Sequence, residues 1–127
     1  VLNKIDRNEE PSVNGYGSQA YDFIYVEDIA RCNISALKSD VKFGFYNVGT
    51  EVQTTIKTLC ETMLRLKNSN LKIKFIPYSA DDARQLVQNR IGSREKTERE
   101  LGFKYKYSLE EGLKKLIAWR EANEILG

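Results

Sequence analysis

The sequence predicts an α/β fold with few short strands and about five helices, and three observations predict it. Aromatic and β-branched residues concentrate in two strand-length runs, Phe23–Val26 and Phe43–Gly49. A third run, Leu71–Pro77, alternates apolar and polar residues with period two over most of its length. Between and after these runs the apolar spacing moves to the 3.6-residue period of amphipathic helices. The resulting order, β-α-β-α-β-α-α-α, is α/β in character. At 127 residues the chain reads as a single domain, residues 1–127, with a real but modest core.

The elements follow in order. Val1, Leu2 and Ile5 suit the last turns of a helix, which Asn8-Glu9-Glu10-Pro11 breaks, since Pro11 also restricts the residue before it. Gly15-Tyr16-Gly17 is a turn of residues that permit unusual backbone angles, and it feeds the strand Phe23–Val26. From Glu27 onward, Val26, Ile29, Ala30, Asn33, Ile34 and Leu37 form one stripe of a helix that stops at Lys38-Ser39-Asp40. After the second strand, Thr54 or Thr55 is the expected N-cap of a helix carrying Ile56, Leu59, Cys60, Met63, Leu64 and Leu66, ended by Asn68-Ser69-Asn70. Ser79-Ala80-Asp81-Asp82 has the form of a capping box before a short helix or turn at 83–87. Gln88-Asn89-Arg90 reads as a loop or short extended segment. Ser93 is placed as the cap of a helix that Gly102 terminates. Ser108-Leu109-Glu110-Glu111 is a fuller capping box, opening a final helix with Leu109, Leu113, Leu116, Ile117 and Trp119.

Composition narrows the chemistry. A formal net charge of +2 implies neither a nucleic-acid nor a membrane partner, and Lys104 and Lys106, interleaved with aromatics, read as a solvated edge. No apolar run approaches the ~20 residues of a membrane span. The chain has no histidine, which removes Ser-His and Cys-His mechanisms and most zinc sites. Cys32 and Cys60 both fall in helical apolar patterns, so buried thiols and a reducing cytoplasm are expected. The first residue is valine, not methionine, which suggests a fragment or a processed chain.

Candidate chemical groups are sparse. Gly15-Tyr16-Gly17 is not a dinucleotide fingerprint, because the third glycine is missing and a strand follows where a helix should. Asp81-Asp82 and Glu110-Glu111 sit at expected helix N-termini, where capping explains acids better than paired catalytic carboxylates do. None of the seven tyrosines has a lysine four residues on, so none has the nearby cation that lowers a tyrosine acid/base into the working range. Arg90, ahead of Ile91-Gly92-Ser93, is the charge best placed for an anionic ligand, with a solvated surface arginine as the alternative.

Three segments in register over most of the chain carry a resemblance. They are Gly15-Tyr16-Gly17-Ser18-Gln19-Ala20-Tyr21-Asp22-Phe23-Ile24-Tyr25-Val26-Glu27-Asp28-Ile29-Ala30-Arg31; Phe45-Tyr46-Asn47-Val48-Gly49-Thr50 leading into Thr54-Thr55-Ile56; and Arg90-Ile91-Gly92-Ser93-Arg94-Glu95-Lys96-Thr97 with Leu101-Gly102-Phe103, Ser108–Leu113 and Ile117-Ala118-Trp119. Together they resemble the C-terminal part of NAD-dependent nucleotide-sugar epimerases and dehydratases, the extended short-chain dehydrogenase/reductases, in particular the UDP-glucose 4-epimerase-like members. The resemblance implies a small C-terminal substrate-binding lobe without the Rossmann nucleotide-binding half, contacting a UDP-sugar or related nucleotide-sugar. It implies no catalytic residue in this chain, no cofactor bound by it alone, and NAD in a full-length member. Its implied substrate-binding residues are Arg90, Gln19 and Tyr21. Tyr21 stands where the family carries a diphosphate-gripping arginine, and Tyr16 where it carries an acid, so the anion-binding role passes to Arg90. The missing N-terminal nucleotide-binding domain is the implied protein partner; the rival reading is a noncatalytic, self-associating α/β module from a truncated gene, whose partner would be a homo-oligomer.

Overall fold

The computed structural model describes residues 1–78 and 89–123. Among the described residues there are five helices and five strands: α1 Leu2–Asp6, β1 Ser12–Asn14, β2 Ala20–Asp22, α2 Val26–Lys38, β3 Gln53–Thr55, α3 Ile56–Leu66, β4 Lys74–Ile76, β5 Asn89–Arg90, α4 Glu95–Leu101 and α5 Leu109–Ala122. The α/β expectation holds. The capping box expected at Ser79 and the element expected at 83–87 lie outside the described residues, as does Gln88.

The strands make two small sheets. β1 and β4 pair in parallel, Ser12 opposite Lys74 and Asn14 opposite Ile76. The other sheet has the order β3-β2-β5, with β2 antiparallel to β3 and parallel to β5. The Gly15–Gly17 turn joins β1 to β2, both glycines at φ near +65° (65° and 67°), a region L-residues with a Cβ avoid.

Two expected strands are corrected. The Phe23–Val26 run is not the strand; β2 lies just before it, and α2 begins at Val26. The helix claims Val26 because Glu27 and Asp28 put two acids in its first turn, where the helix dipole favours them. The ladder stops at Asp22 because Val52, next in register opposite Phe23, gives its amide to Thr50 Oγ1 at 3.1 Å. The Phe43–Gly49 run is not in a strand either. Its carbonyls are taken by side chains of α4: Lys96 Nζ donates to Phe45 O at 3.1 Å and Thr97 Oγ1 donates to Asn47 O. The run has strand composition and no ladder.

The helix readings fare better. Thr55 caps α3, its hydroxyl accepting from Thr58 N at 3.0 Å. Ser108 and Glu111 form the complete capping box of α5, the Glu111 carboxylate accepting from Ser108 N at 2.8 Å. Gly102 ends α4 in the left-handed conformation. The cap of α4, however, is Arg94 and not Ser93, whose hydroxyl instead accepts from Glu95 N at 3.3 Å. The stripe expected on α2 is also inverted: Val26, Ile34 and Leu37 are exposed, Leu37 at 87%, and the buried residues are Asp28 and Cys32.

The core is small: Leu2, Ile5, Val13, Ala20, Cys32, Cys60, Leu64, Phe103, Leu113 and Ile117. Burial pushes both free thiols above their ordinary value, which keeps them protonated and unreactive. Two buried carboxylates tie the helices together. Asp28, fully buried, accepts from the backbone amides of Lys106 and Tyr107 at 3.0 Å and pairs with Arg31, so the start of α2 holds the loop before α5. Asp6, its side chain 5% exposed, pairs with Lys67 at 3.2 Å and Arg120 at 3.0 Å, joining α1 to the ends of α3 and α5.

Replacing Asp28 by alanine strands two backbone donors in a site closed to water, so Asp28→Ala is expected to destabilise by about 3 kcal/mol, read from urea unfolding. Asp6 supplies a pH-dependent test. Burial raises its pKa, but the hydrogen bonds and charges of Arg120 and Lys67 outweigh that and leave it below its ordinary 3.8. A carboxylate depressed in the folded state adds stability above its unfolded pKa and loses it as pH falls through the folded one. The stability difference between the parent chain and Asp6→Asn is therefore expected to be full at neutral pH and to shrink below pH 3.8, measured as paired urea midpoints across that range.

Candidate functional site

The register of the three-stranded sheet brings two of the expected site residues together. Tyr21 is the Cα partner of Arg90 on one side and of Thr54 on the other. Cross-strand partners share a face, so Tyr21, Arg90 and Thr54 lie on one side of the sheet. The Tyr21 and Phe23 rings meet edge to face, 6.2 Å between centroids. Arg90 is exposed at the sheet edge, Tyr21 is half-buried and Thr54 is buried. Gln19 is not presented with them. It is 4% exposed, just before β2, and its carbonyl accepts from Ile56 N at 2.9 Å, which fastens the start of the strand to the N-terminus of α3.

At the Phe23 end of this face lies a cavity of about 310 Å³, walled by Phe23, Thr50, Val52, Thr54 and Tyr105 and closed by the start of α5. A second, more apolar cavity of about 330 Å³ continues past Phe23 between α3 and α5, lined by Tyr25, Leu59, Met63 and Leu113 among others. Neither is lined by Arg90, Tyr21 or Gln19. The cavities adjoin the Tyr21–Arg90 pair through Phe23 and Thr54, and those two residues extend the candidate site beyond the expected set. The aromatic run at 23–26, although not a strand, was the signal for Phe23; Thr54 carried a signal only as a helix cap.

The turn at 49–52 anchors the site from behind. Asp22 accepts from Thr50 N at 2.8 Å, Thr50 Oγ1 at 2.6 Å and Glu51 N at 2.8 Å. A side chain at position 49 would drive its Cβ into the Asp22 carboxylate, which is why glycine stands there. Glu51 has a left-handed backbone, φ 60°, and its carboxylate accepts from Arg94 N at 2.8 Å. The Arg94 guanidinium reaches Thr50 O at 3.1 Å and Glu98 at 3.2 Å, and lies 5.0 Å from the centre of the Tyr105 ring. Glu110, on the cavity wall, is not one of a catalytic pair. Hydrogen bonds from Arg65 first and Lys114 second hold its carboxyl down to about 2, and Glu111 belongs to the capping box. Among the described residues no cluster of three potential metal ligands occurs, and no helix is long and apolar enough to cross a membrane.

The model of the NAD dependent epimerase/dehydratase family matches residues 1–49. A putative UDP-glucose 4-epimerase of Methanocaldococcus jannaschii is 30% identical over 123 residues, covering 96% of this chain and 38% of that protein. The UDP-glucose 4-epimerase of Thermotoga maritima, solved with UDP-glucose, superposes with a TM-score of 0.86 at 27% identity, covering 97% of this chain and 38% of that one. The Bordetella bronchiseptica enzyme WbmF, solved in complex with NAD+ and UDP, superposes with a TM-score of 0.80 at 32% identity, covering 98% of this chain and 36% of that one. The chain spans about a third of the length of the curated relatives it matches. The segment motifs, the α/β architecture and these likenesses agree: the chain belongs to the NAD-dependent epimerase/dehydratase family, and the part of its relatives that it matches is the C-terminal part.

Proposed function

We propose that this chain is the sugar-nucleotide-binding portion of an NAD-dependent nucleotide-sugar epimerase of the UDP-glucose 4-epimerase type. The observation that carries the proposal is the register that sets Arg90 beside Tyr21 on the sheet face next to the Phe23–Thr54 cavity. A guanidinium at an exposed sheet edge suits a diphosphate, which it can engage with two parallel N–H donors. The Tyr21 ring, braced on Phe23, forms a wall beside it. Gln19 supports the strand from beneath, through its carbonyl, in this reading.

The chain is proposed to bind without turning over. Its 127 residues contain no Tyr-x-x-x-Lys pair, and the turn at Gly15–Gly17 leads into β2 instead of a helix, so these residues do not fit a dinucleotide pyrophosphate. The hydride chemistry of a whole family member would rest on its nucleotide-binding domain, which is the partner this lobe is proposed to serve.

A second reading, that the chain is a noncatalytic self-associating module, is favoured by one observation. Leu37, Phe43 and Phe45 are 87%, 80% and 81% exposed, and Ile34 is 51% exposed. Large apolar side chains left this exposed favour a covering partner, whether another domain or another copy.

Titration calorimetry with UDP, UDP-glucose and uridine tests the first reading. The expected outcome is heat with UDP and UDP-glucose, with Arg90→Met weakening UDP roughly tenfold and leaving uridine unchanged, the loss of one charge-assisted contact. No heat from any of the three would overturn it. Light scattering over rising protein concentration tests the second reading: a dimer that Leu37→Ser returns to monomer supports self-association, and a monomer at every concentration removes it.

A further inference from the structure

We propose that the Glu51–Arg94 pair is a positioning device that fixes Arg90 in register with Tyr21, and so sets the affinity of this face for a nucleoside diphosphate. The inference rests on the binding function proposed above and adds to it two residues that act through Arg90.

β5 is only two residues long and lies at the edge of its sheet. Its two-residue pairing with β2 leaves the direction of the chain after Arg90 unspecified. Four residues on, Arg94 supplies the missing restraint. Its backbone amide is held by Glu51 Oε1 at 2.8 Å, its Nε lies 3.5 Å from Glu51 Oε2, and its guanidinium holds Thr50 O at 3.1 Å. Thr50 and Glu51 are themselves bound to Asp22, the residue after Tyr21. The two strand ends, Tyr21-Asp22 and Arg90, are thus closed into one loop of contacts through the 50–51 turn. Gln53 Nε2 adds a bond to Asn89 Oδ1 at 2.8 Å, on the opposite face of the same strands.

Glu51 is the informative member. It keeps a left-handed backbone that a glutamate adopts at a cost, where glycine would be free of strain. Its carboxylate faces Arg94 and not solvent alone, and the bond to Arg94 N is 43 residues distant in sequence. A glutamate kept against its backbone preference, with its carboxylate committed to a distant amide, fits a role in holding the chain as it leaves β5.

Glu51→Gly is the decisive variant, since it relieves the backbone strain while deleting the hold on Arg94; Arg94→Met deletes the other partner. Two readouts are taken on the full chain. In calorimetry, both variants are expected to weaken UDP roughly tenfold, to leave uridine unchanged, and to add nothing to the loss already caused by Arg90→Met, the signature of acting through Arg90. In hydrogen exchange, the amides of residues 89–91 are expected to exchange faster in both variants while those of β1 and β4 do not change. A purely structural role would lower uridine and UDP affinity together and speed exchange in both sheets, and either result overturns the proposal, as does unchanged exchange at 89–91. If the parent chain binds no UDP, the binding function falls and takes the affinity claim with it, and the exchange result then decides the register claim by itself.

Discussion

The carboxylate of Asp22 is the interaction on which the organisation of this chain most depends. No strand among the described residues exceeds three residues, so ladder hydrogen bonds are too few to set the arrangement of the sheets. A charged acceptor at the end of β2 takes three donors from the 50–51 turn, and hydrogen bonds to an ionised acceptor are about twice as strong as neutral ones. By holding that turn, Asp22 stops the β2–β3 ladder, aims β3 into the cap of α3 and presents Glu51 to the residue that begins α4. The closeness of Gly49 to the carboxylate shows how little room this clamp leaves.

The same device recurs elsewhere in the chain. Asp28 gathers two backbone amides from the loop before α5, and Thr97 and Lys96 take two carbonyls from the 43–49 run. Each replaces a sheet ladder with a side chain that satisfies backbone groups. A domain with short strands and a small core must satisfy its loop backbone in this way or leave it to water.

The exposed face has the opposite character. On α2 the buried residues are Asp28 and Cys32, while Val26, Ile34 and Leu37 are exposed, as are Phe43 and Phe45. A run of strand composition with no ladder and a helix with its apolar side in solvent lie next to each other in sequence.

Local rules were enough to read the helices. Ser108 as a cap, Gly102 as a stop, and the apolar stripe of α3 all follow from interactions within four residues, so the sequence alone determined them, together with the motifs that placed the chain in its family; the α3 cap it narrowed to Thr54 or Thr55. It also offered Arg90, Gln19 and Tyr21 as candidate substrate-binding residues, although not that Arg90 and Tyr21 are cross-strand neighbours. It did not determine that the runs at 23–26 and 43–49 are not strands, nor the outward turn of the α2 stripe, nor the parts played by Asp22, Asp28, Glu51 and Arg94. These depend on partners far along the chain: 28 residues from Asp22 to Thr50, 43 from Glu51 to Arg94 and 78 from Asp28 to Lys106. Aromatic and β-branched composition makes a segment able to pair, but a strand exists only where another backbone lies alongside it. That neighbour is supplied by the tertiary structure, and for residues 43–49 the structure supplies helix side chains in its place.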